Sequence, residues 1–159
     1  MAIVNIYSDV LMDHVANPDY NYELEDATHT HEGINPSCGD DLILHVKVGA
    51  DGVIEKSSWT GHGCAISQAS ADMMSDLVIG KTVDEAREAC ALFGRMIRGE
   101  ETDAELLEEE LDEAYCLESI SRMPARVKCA QLAWRTLDEM LAGEAAPGIA
   151  TSTEDDATA

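Results

Sequence analysis

Positive charge is what this chain has least of. Ten Lys and Arg stand against 32 Asp and Glu, for a formal net charge of −22 at pH 7. Such a balance argues against binding DNA or RNA through phosphates, which takes a basic face. It suits a protein partner that carries basic patches, and a plain solvated surface or an acid-rich, salt-adapted proteome accounts for it equally well. Also missing are an apolar run long enough to cross a membrane and a basic-then-apolar start of the signal-peptide kind. The expectation is a cytoplasmic protein with no membrane contact. Paired C-x-x-C units, the mark of zinc fingers, are absent as well. The five cysteines are an odd number, which in a reducing compartment reads as thiols rather than disulfides.

What is there predicts one α+β domain, 159 residues being enough for a proper core. "IVNIYSDVLMDHVAN" sets Ile3, Ile6, Val10, Leu11, Met12 and Val15 near helical spacing, and Asn17-Pro18 stops it. Residues 19–37 lack periodicity and are expected to form a long mobile segment. "DLILHVKV" alternates Leu42, Leu44, Val46 and Val48 on one face, "GADG" turns, and "VIEKSSWT" returns. The stretch 42–60 is therefore a hairpin of a small antiparallel sheet with room for a third strand, packed against several helices. After "GHG" the period turns helical through "CAISQASADMMSDLVIG", which Gly80 ends. "TVDEAREACALFGRMIRG" opens on a capping box of Thr82 and Glu85. The acidic "EETDAELLEEELDEA" reads as a short solvated helix or a loop. "MPARVKCAQLAWRTLDEML" is the last helix, with Pro124 suited to its first turn, and from Gly143 the composition is that of a disordered tail.

The thiols fall at telling places on this outline. In "NPSCGD" Pro36 fixes φ and Gly39 lets the backbone double back, placing Cys38 on a tight turn with Asp40 two positions on. A thiol and a carboxylate on a loop with no room to bury either are expected to face something shared. Cys64 follows "GHG" where the hairpin leaves into a helix. The hairpin brings its own ends together, so Cys64 is expected beside Cys38, and a helix N-terminus favours its thiolate. Cys129 lies one to two turns into the last helix, with Arg126 three residues before it to favour the thiolate in a similar way. Cys90, among Ala86, Ala89, Leu92 and Phe93, reads as core, and Cys116 as an ordinary residue. Three thiols and Asp40 make four ligands for a thiophilic metal, either zinc or an iron–sulfur cluster. Spacing alone does not choose between them.

These stretches, "NPSCGD", "GHGCAISQASADMM" and "PARVKCAQLAW", with "YSDVLMDHVANP" near the start, resemble the U-type iron–sulfur cluster assembly proteins. That family includes IscU, SufU and the N-terminal part of NifU. The resemblance runs from residue 5 to about 142, and its motifs are specific in order, context and spacing. Two features are similar to the SufU-type branch rather than to IscU. Lys128 stands immediately before Cys129, where IscU carries a histidine. The segment between the second and third motif cysteines is long, and its acidic stretch, about 99–118, falls where SufU-type proteins have an insertion. The implied organisation is an IscU-like domain over 1–142, including that insertion, followed by a disordered acidic tail over 143–159.

The resemblance implies a function and a site. SufU-type proteins hold zinc through three cysteines and an aspartate, which correspond here to Cys38, Asp40, Cys64 and Cys129. Their first cysteine, here Cys38, accepts persulfide sulfur from a PLP-dependent cysteine desulfurase of the SufS type and passes it toward the downstream Suf cluster-assembly machinery. Ligands rearrange on docking to free that thiol, and a cysteine beside Gly39 can move where one in a helix cannot. Arg126 matches the family's "PxRxKC" context and is expected to support Cys129. The alternatives are a scaffold that builds and transfers a [2Fe–2S] cluster on the same four ligands, and a structural zinc domain. The aspartate on a glycine turn disfavours the last, because structural sites close with four Cys or His ligands. His62, His29 and His31 read as loop residues rather than ligands, and His14 and His45 as helix-surface and strand-surface residues. Trp59, Trp134, Met73 and Met74 read as core or interface packing.

Overall fold

The computed structural model describes residues 9–143 and 150–153. Its elements run α1 (Asp9–Ala16), β1 (His29–Asn35), β2 (Asp40–Val48), β3 (Ile54–His62), α2 (Ala65–Val78) and α3 (Val83–Ile97). There follow α4 (Ala104–Leu111), a 3-10 helix (Asp112–Arg122), α5 (Pro124–Ala142) and the two-residue β4 (Thr151–Ser152). The sheet order is β3-β2-β1-β4; β1, β2 and β3 pair antiparallel, and β4 joins β1 in parallel. The expected α+β fold with its hairpin and third strand is therefore present, in a sheet made mixed by β4.

Alternation along β2 turns Leu42, Leu44 and Val46 inward; the helices α2 and α5 cover the sheet, and α3 packs on α5. Each such side chain fully removed from water contributes about 1.5–3 kcal/mol. Phe93 of α3 stacks on Trp134 of α5 with ring centroids 4.2 Å apart and planes within 5°. Trp134 Nε1 donates to Ser70 Oγ at 2.8 Å, and Ser70 Oγ donates to the Ala130 carbonyl at 2.6 Å, tying α2 to α5. Met73, Met74, Trp59 and Trp134 are buried as expected. The capping box at the start of α3 is formed, with Glu85 N donating to Thr82 Oγ1 and Thr82 N to Glu85 Oε1. No helix among the described residues is long and apolar enough to cross a membrane.

Several expectations are corrected. The segment 19–37 is not a mobile loop: it contains β1, and Tyr20 is held by a hydrogen bond from Trp59 N to its carbonyl at 2.9 Å. The inward positions of β1 are His29, His31, Gly33 and Asn35, so apolar alternation never appears. Gly33 is required because α5 crosses β1 closely there, and a Cβ would strike Thr136 Oγ1. The acidic stretch buries more than a solvated helix would. Leu107 and Leu111 of α4, four residues apart, and Ala114, Leu117 and Ile120 of the 3-10 helix, three apart, all face the core. The spacing changes with the helix type. His14 and His45 are buried, not surface residues. In α1 Leu11 is buried while Val10 and Met12 are exposed; the expected start of that helix, residues 3–8, lies outside the described residues. Within the expected tail, Thr151 and Ser152 pair with Gly33 and Ile34, while 144–149 and 154–159 lie outside the described residues.

Candidate metal centre

The site forms where three connections meet. The turn between β1 and β2 carries Cys38, with its N–H on the Asn35 carbonyl at 3.2 Å and Gly39 at φ +73°, a left-handed conformation that glycine adopts without strain. Asp40 begins β2 directly opposite Asn35, and Asp41 pairs with His62, so the end of β3 lies beside the turn. Two residues past His62, Cys64 caps α2 and accepts from Ser67 N at 3.5 Å through its sulfur. Cys129 sits in the second turn of α5, behind the turn.

Burial divides these residues. Cys38 is exposed, Cys64 is half-buried, and Cys129 and Asp40 are buried at 0% and 2% exposure. The expectation that a carboxylate at this loop has no room to be buried is corrected for Asp40. Its burial is possible because both oxygens are satisfied: Oδ1 accepts from Cys64 N at 2.9 Å and Oδ2 from Asn35 Nδ2 at 3.0 Å. The first contact requires Gly63, since a Cβ there would lie 2.8 Å from Asp40 Oδ1 and would also meet Ser67 Oγ.

Cys38 Sγ and Cys129 Sγ are 3.2 Å apart, and Asn35 Nδ2 also donates to Cys129 Sγ at 3.5 Å. One donor atom from each of Cys38, Asp40 and Cys129 lies within 4.8 Å of the other two. Cys64 is not in that group of three; it lies beside it, with its backbone N–H on Asp40 Oδ1 and its thiol near enough to Cys129 for each to shift the other's acidity. The sulfur in contact with Cys38 is that of Cys129.

The two inner thiols share their proton unequally. The Cys129 hydrogen bond, against the opposing effect of burial and with help from the Ser67 N–H, lowers the Cys64 thiol from 9.0 to about 6. The same bond to Cys64, together with burial and the nearby Cys38 and Asp40, pushes Cys129 well above the ordinary thiol range. The metal-free site therefore favours a thiolate on Cys64 with Cys129 as its donor.

Three thiols and a carboxylate suit a thiophilic divalent cation. Tetrahedral zinc with Zn–S near 2.3 Å places its sulfur ligands about 3.7 Å apart, and Cys38 Sγ and Cys129 Sγ, at 3.2 Å, stand near that spacing. Arg126 stands half-buried in the first turn of α5, three residues before Cys129. His62 is exposed, and His29 and His31 lie on β1, where His31 Nε2 meets Thr151 Oγ1 at 2.9 Å. Cys90 is in the core, its thiol pushed up by burial, and Cys116 Sγ lies 4.0 Å from Met73 Sδ. The residue missed by reading the sequence is Asn35. Its single signal is its place in "NPSCGD", and its inward orientation follows from a strand without apolar alternation.

Comparison with known proteins places the chain in a family. Residues 6–130 match the family model for the NifU-like N terminal domain. The chain is 40% identical over 141 residues to the iron–sulfur cluster assembly scaffold protein IscU of Thermotoga maritima, covering 89% of this chain and 96% of that one. It is 36% identical over 139 residues to the zinc-dependent sulfurtransferase SufU of Bacillus subtilis, covering 87% and 91% respectively. The crystal structure of the SufU of Fervidobacterium islandicum superposes with a TM-score of 0.76 at 36% identity, covering 86% of this chain and 96% of that one. With a family model matched over residues 6–130 and relatives 36–40% identical along nearly the whole chain, this protein belongs to the NifU-like N-terminal domain family, whose relatives here include proteins named IscU and SufU.

Proposed function

We propose that this protein works in iron–sulfur cluster assembly as a zinc-dependent sulfur acceptor, with Cys38, Asp40, Cys64 and Cys129 as the metal ligands. The observation that carries the reading is the asymmetry of the site. Cys38 is exposed on a glycine turn, whereas Asp40 and Cys129 are buried and Cys64 is tied into a helix cap. Zinc bound there would keep the thiols deprotonated and hold Cys38 unreactive until it is released. In the transfer step, the Cys38 thiolate attacks the outer sulfur of the cysteine persulfide on a PLP-dependent desulfurase. A new S–S bond forms at Cys38, the donor's S–S bond breaks, and the donor leaves as a thiolate. Electrons balance without an external oxidant or reductant. Arg126 supports Cys129 electrostatically. A SufS-type desulfurase with a basic docking face suits the −22 net charge. The domain, expected over 1–142, also takes in β4 at Thr151–Ser152, and the acidic stretch at about 99–118 is an insertion in it.

The second reading is a scaffold that builds a [2Fe–2S] cluster as cargo on the same ligands, favoured by the identity to the Thermotoga maritima protein named IscU. Lys128 in place of histidine before Cys129 supports the sulfur-acceptor reading. Metal and acid-labile sulfide in anaerobically purified protein separate the two. About one zinc per chain without sulfide, lost in Cys38→Ala and Asp40→Ala, is the expected result. Iron and sulfide in equal amounts would transfer the protein to the scaffold class.

A further inference from the structure

We infer that the C-terminal segment through Thr153 is a working part of the metal centre, with Asn35 as the positioning residue through which it acts. The inference rests on Cys38, Asp40, Cys64 and Cys129 being the ligand set. Asn35 is fully buried, and every polar atom of its side chain is engaged. The two hydrogens of Nδ2 go to Asp40 Oδ2 and Cys129 Sγ, and Oδ1 accepts from Thr153 Oγ1 at 3.0 Å. A primary amide has two donors and one acceptor atom, so this arrangement uses it completely. Flipping the amide would turn its oxygen toward the Asp40 carboxylate and the Cys129 sulfur. Removing the Thr153 hydroxyl would leave a buried carbonyl oxygen without a partner and free the ring of contacts that fixes the amide.

The segment that supplies Thr153 is placed to be both specific and releasable. Thr151 and Thr153 are each 3% exposed. Thr151 Oγ1 lies 2.9 Å from His31 Nε2 and donates to Glu139 Oε1 at 3.1 Å, joining β4 to both β1 and α5. Thr153 also lines a groove with Pro124, Val127 and Lys128, the residues leading into Cys129. Yet among the described residues β4 pairs over two residues, at the edge of the sheet. So short an edge pairing opens at lower cost than the β1–β2–β3 core. When the segment is seated, Asn35 holds Asp40 and Cys129 in the geometry that ligation needs. When it leaves, both ligands lose their shared clamp while the turn bearing Cys38 is unaffected.

The test compares the full chain with Thr153→Val, Thr153→Ser and a chain shortened to end before Ala150. Zinc affinity is measured by competition with a chromophoric chelator, the thiolate-to-metal absorption of the cobalt-loaded protein is recorded, and exchange of the Asn35 side-chain amide protons is followed by NMR in the metal-free state. Loss of a group that orients a ligand typically lowers metal affinity about 10–100-fold. Thr153→Val and the shortened chain are expected to fall in that range, with altered cobalt absorption and faster Asn35 exchange. Thr153→Ser keeps the hydroxyl and is expected to match the parent. Zinc affinity and Asn35 exchange of Thr153→Val both within twofold of the parent would overturn the inference. If the parent binds neither zinc nor cobalt, the ligand assignment fails, and unchanged Asn35 exchange in metal-free Thr153→Val overturns the seated clamp separately. Thr153→Val differs from the parent by one methyl-for-hydroxyl replacement, so the result does not depend on the shortened chain folding.

Discussion

Asp72 is the side chain on which the site's scaffold most depends, and its replacement is the sharpest test of the fold. It is fully buried on α2 and accepts four hydrogen bonds. Oδ1 takes Tyr20 N at 2.9 Å and Trp59 Nε1 at 3.0 Å; Oδ2 takes His14 Nδ1 at 2.7 Å and Asp19 N at 3.3 Å. One carboxylate thereby fastens α1, the chain after it and β3 to the helix that Cys64 caps. In Asp72→Asn an amide must replace it, and either orientation sets an NH2 against two of the donors. In Asp72→Ala all four donors lose their partner. Leaving a buried donor unpaired costs about 1–3 kcal/mol, but neighbours in one network do not add. Breaking a buried charged pair from one side costs about 3–5 kcal/mol, and that is the loss expected for Asp72→Ala. Against a total stability of about 5–15 kcal/mol this is a large fraction. At about 2–4 °C per kcal/mol for a chain of this size, the midpoint should fall by roughly 6–20 °C. Thermal melts and urea titrations followed by circular dichroism measure the midpoint and the free energy, with Asp76→Asn as control, because Asp76 is exposed and its bond from the Tyr20 hydroxyl lies at the surface. A cost below about 1 kcal/mol for Asp72→Ala would refute the account of Asp72 as a buried hub.

Two further outcomes follow from the same geometry. His14 lies between Asp72 and Glu113, with Nε2 2.9 Å from Glu113 Oε1, so both ring nitrogens face acceptors and the charged ring satisfies both. Burial opposes that charge, but the bonds to Asp72 and Glu113 outweigh it and raise the ring above its ordinary 6.5. A raised folded value means stability that is complete below about 6.5 and is lost as pH rises through the folded value. The parent's urea midpoint should therefore fall between pH 6 and pH 8 more than that of His14→Gln; equal falls would remove His14 as the cause. Gly63→Ala would place a Cβ 2.8 Å from Asp40 Oδ1 and displace that oxygen from Cys64 N. Zinc affinity measured by chelator competition should drop about 10–100-fold, and an unchanged affinity would show that Asp40 can shift without loss of the site.

Where the sequence could be read and where it could not has a physical pattern. The hairpin and the helices α2, α3 and α5 were legible because their apolar residues repeat at the period of the element and because Thr82, Glu85, Gly80 and Pro124 mark their ends. The ligand candidates were legible because thiols and "NPSCGD" are chemically distinctive. What stayed hidden is polar and buried. β1 faces inward with His29, His31, Gly33 and Asn35, and none of these advertises a strand. His14 looks like a surface histidine until Asp72, 58 residues away, is brought to it. Asn35 and Thr153 are 118 residues apart, and no local rule links them. Buried polar networks of this kind are specified by the tertiary structure that closes them, so periodicity cannot find them.

On the proposed reading, the thiol chemistry poses a choice that acidity alone would decide differently. Cys64, lowered to about 6, is the sulfur most readily present as thiolate, and on that ground it would be the sulfur acceptor. Its thiolate exists because Cys129 and the Ser67 N–H hold it, so an attack by Cys64 must first give up the bonds that created it. Nucleophilicity also falls as thiol acidity rises, with a Brønsted slope of about 0.4–0.5, which removes part of the advantage. Access decides the rest. Cys64 is half-buried at a helix cap and Cys129 fully buried in α5, whereas Cys38 is exposed beside Gly39. On the proposed reading, a metal at the site equalises the thiols by holding them all deprotonated, and the order of release then follows mobility rather than acidity. Asp40 and Cys129 are clamped by Asn35, and Cys64 by its helix cap. The backbone link of Cys38 to the rest of the site is one 3.2 Å bond to the Asn35 carbonyl. As a ligand on that reading, Cys38 can leave with the other three in place, which is what an acceptor reaching into another protein's active site has to do.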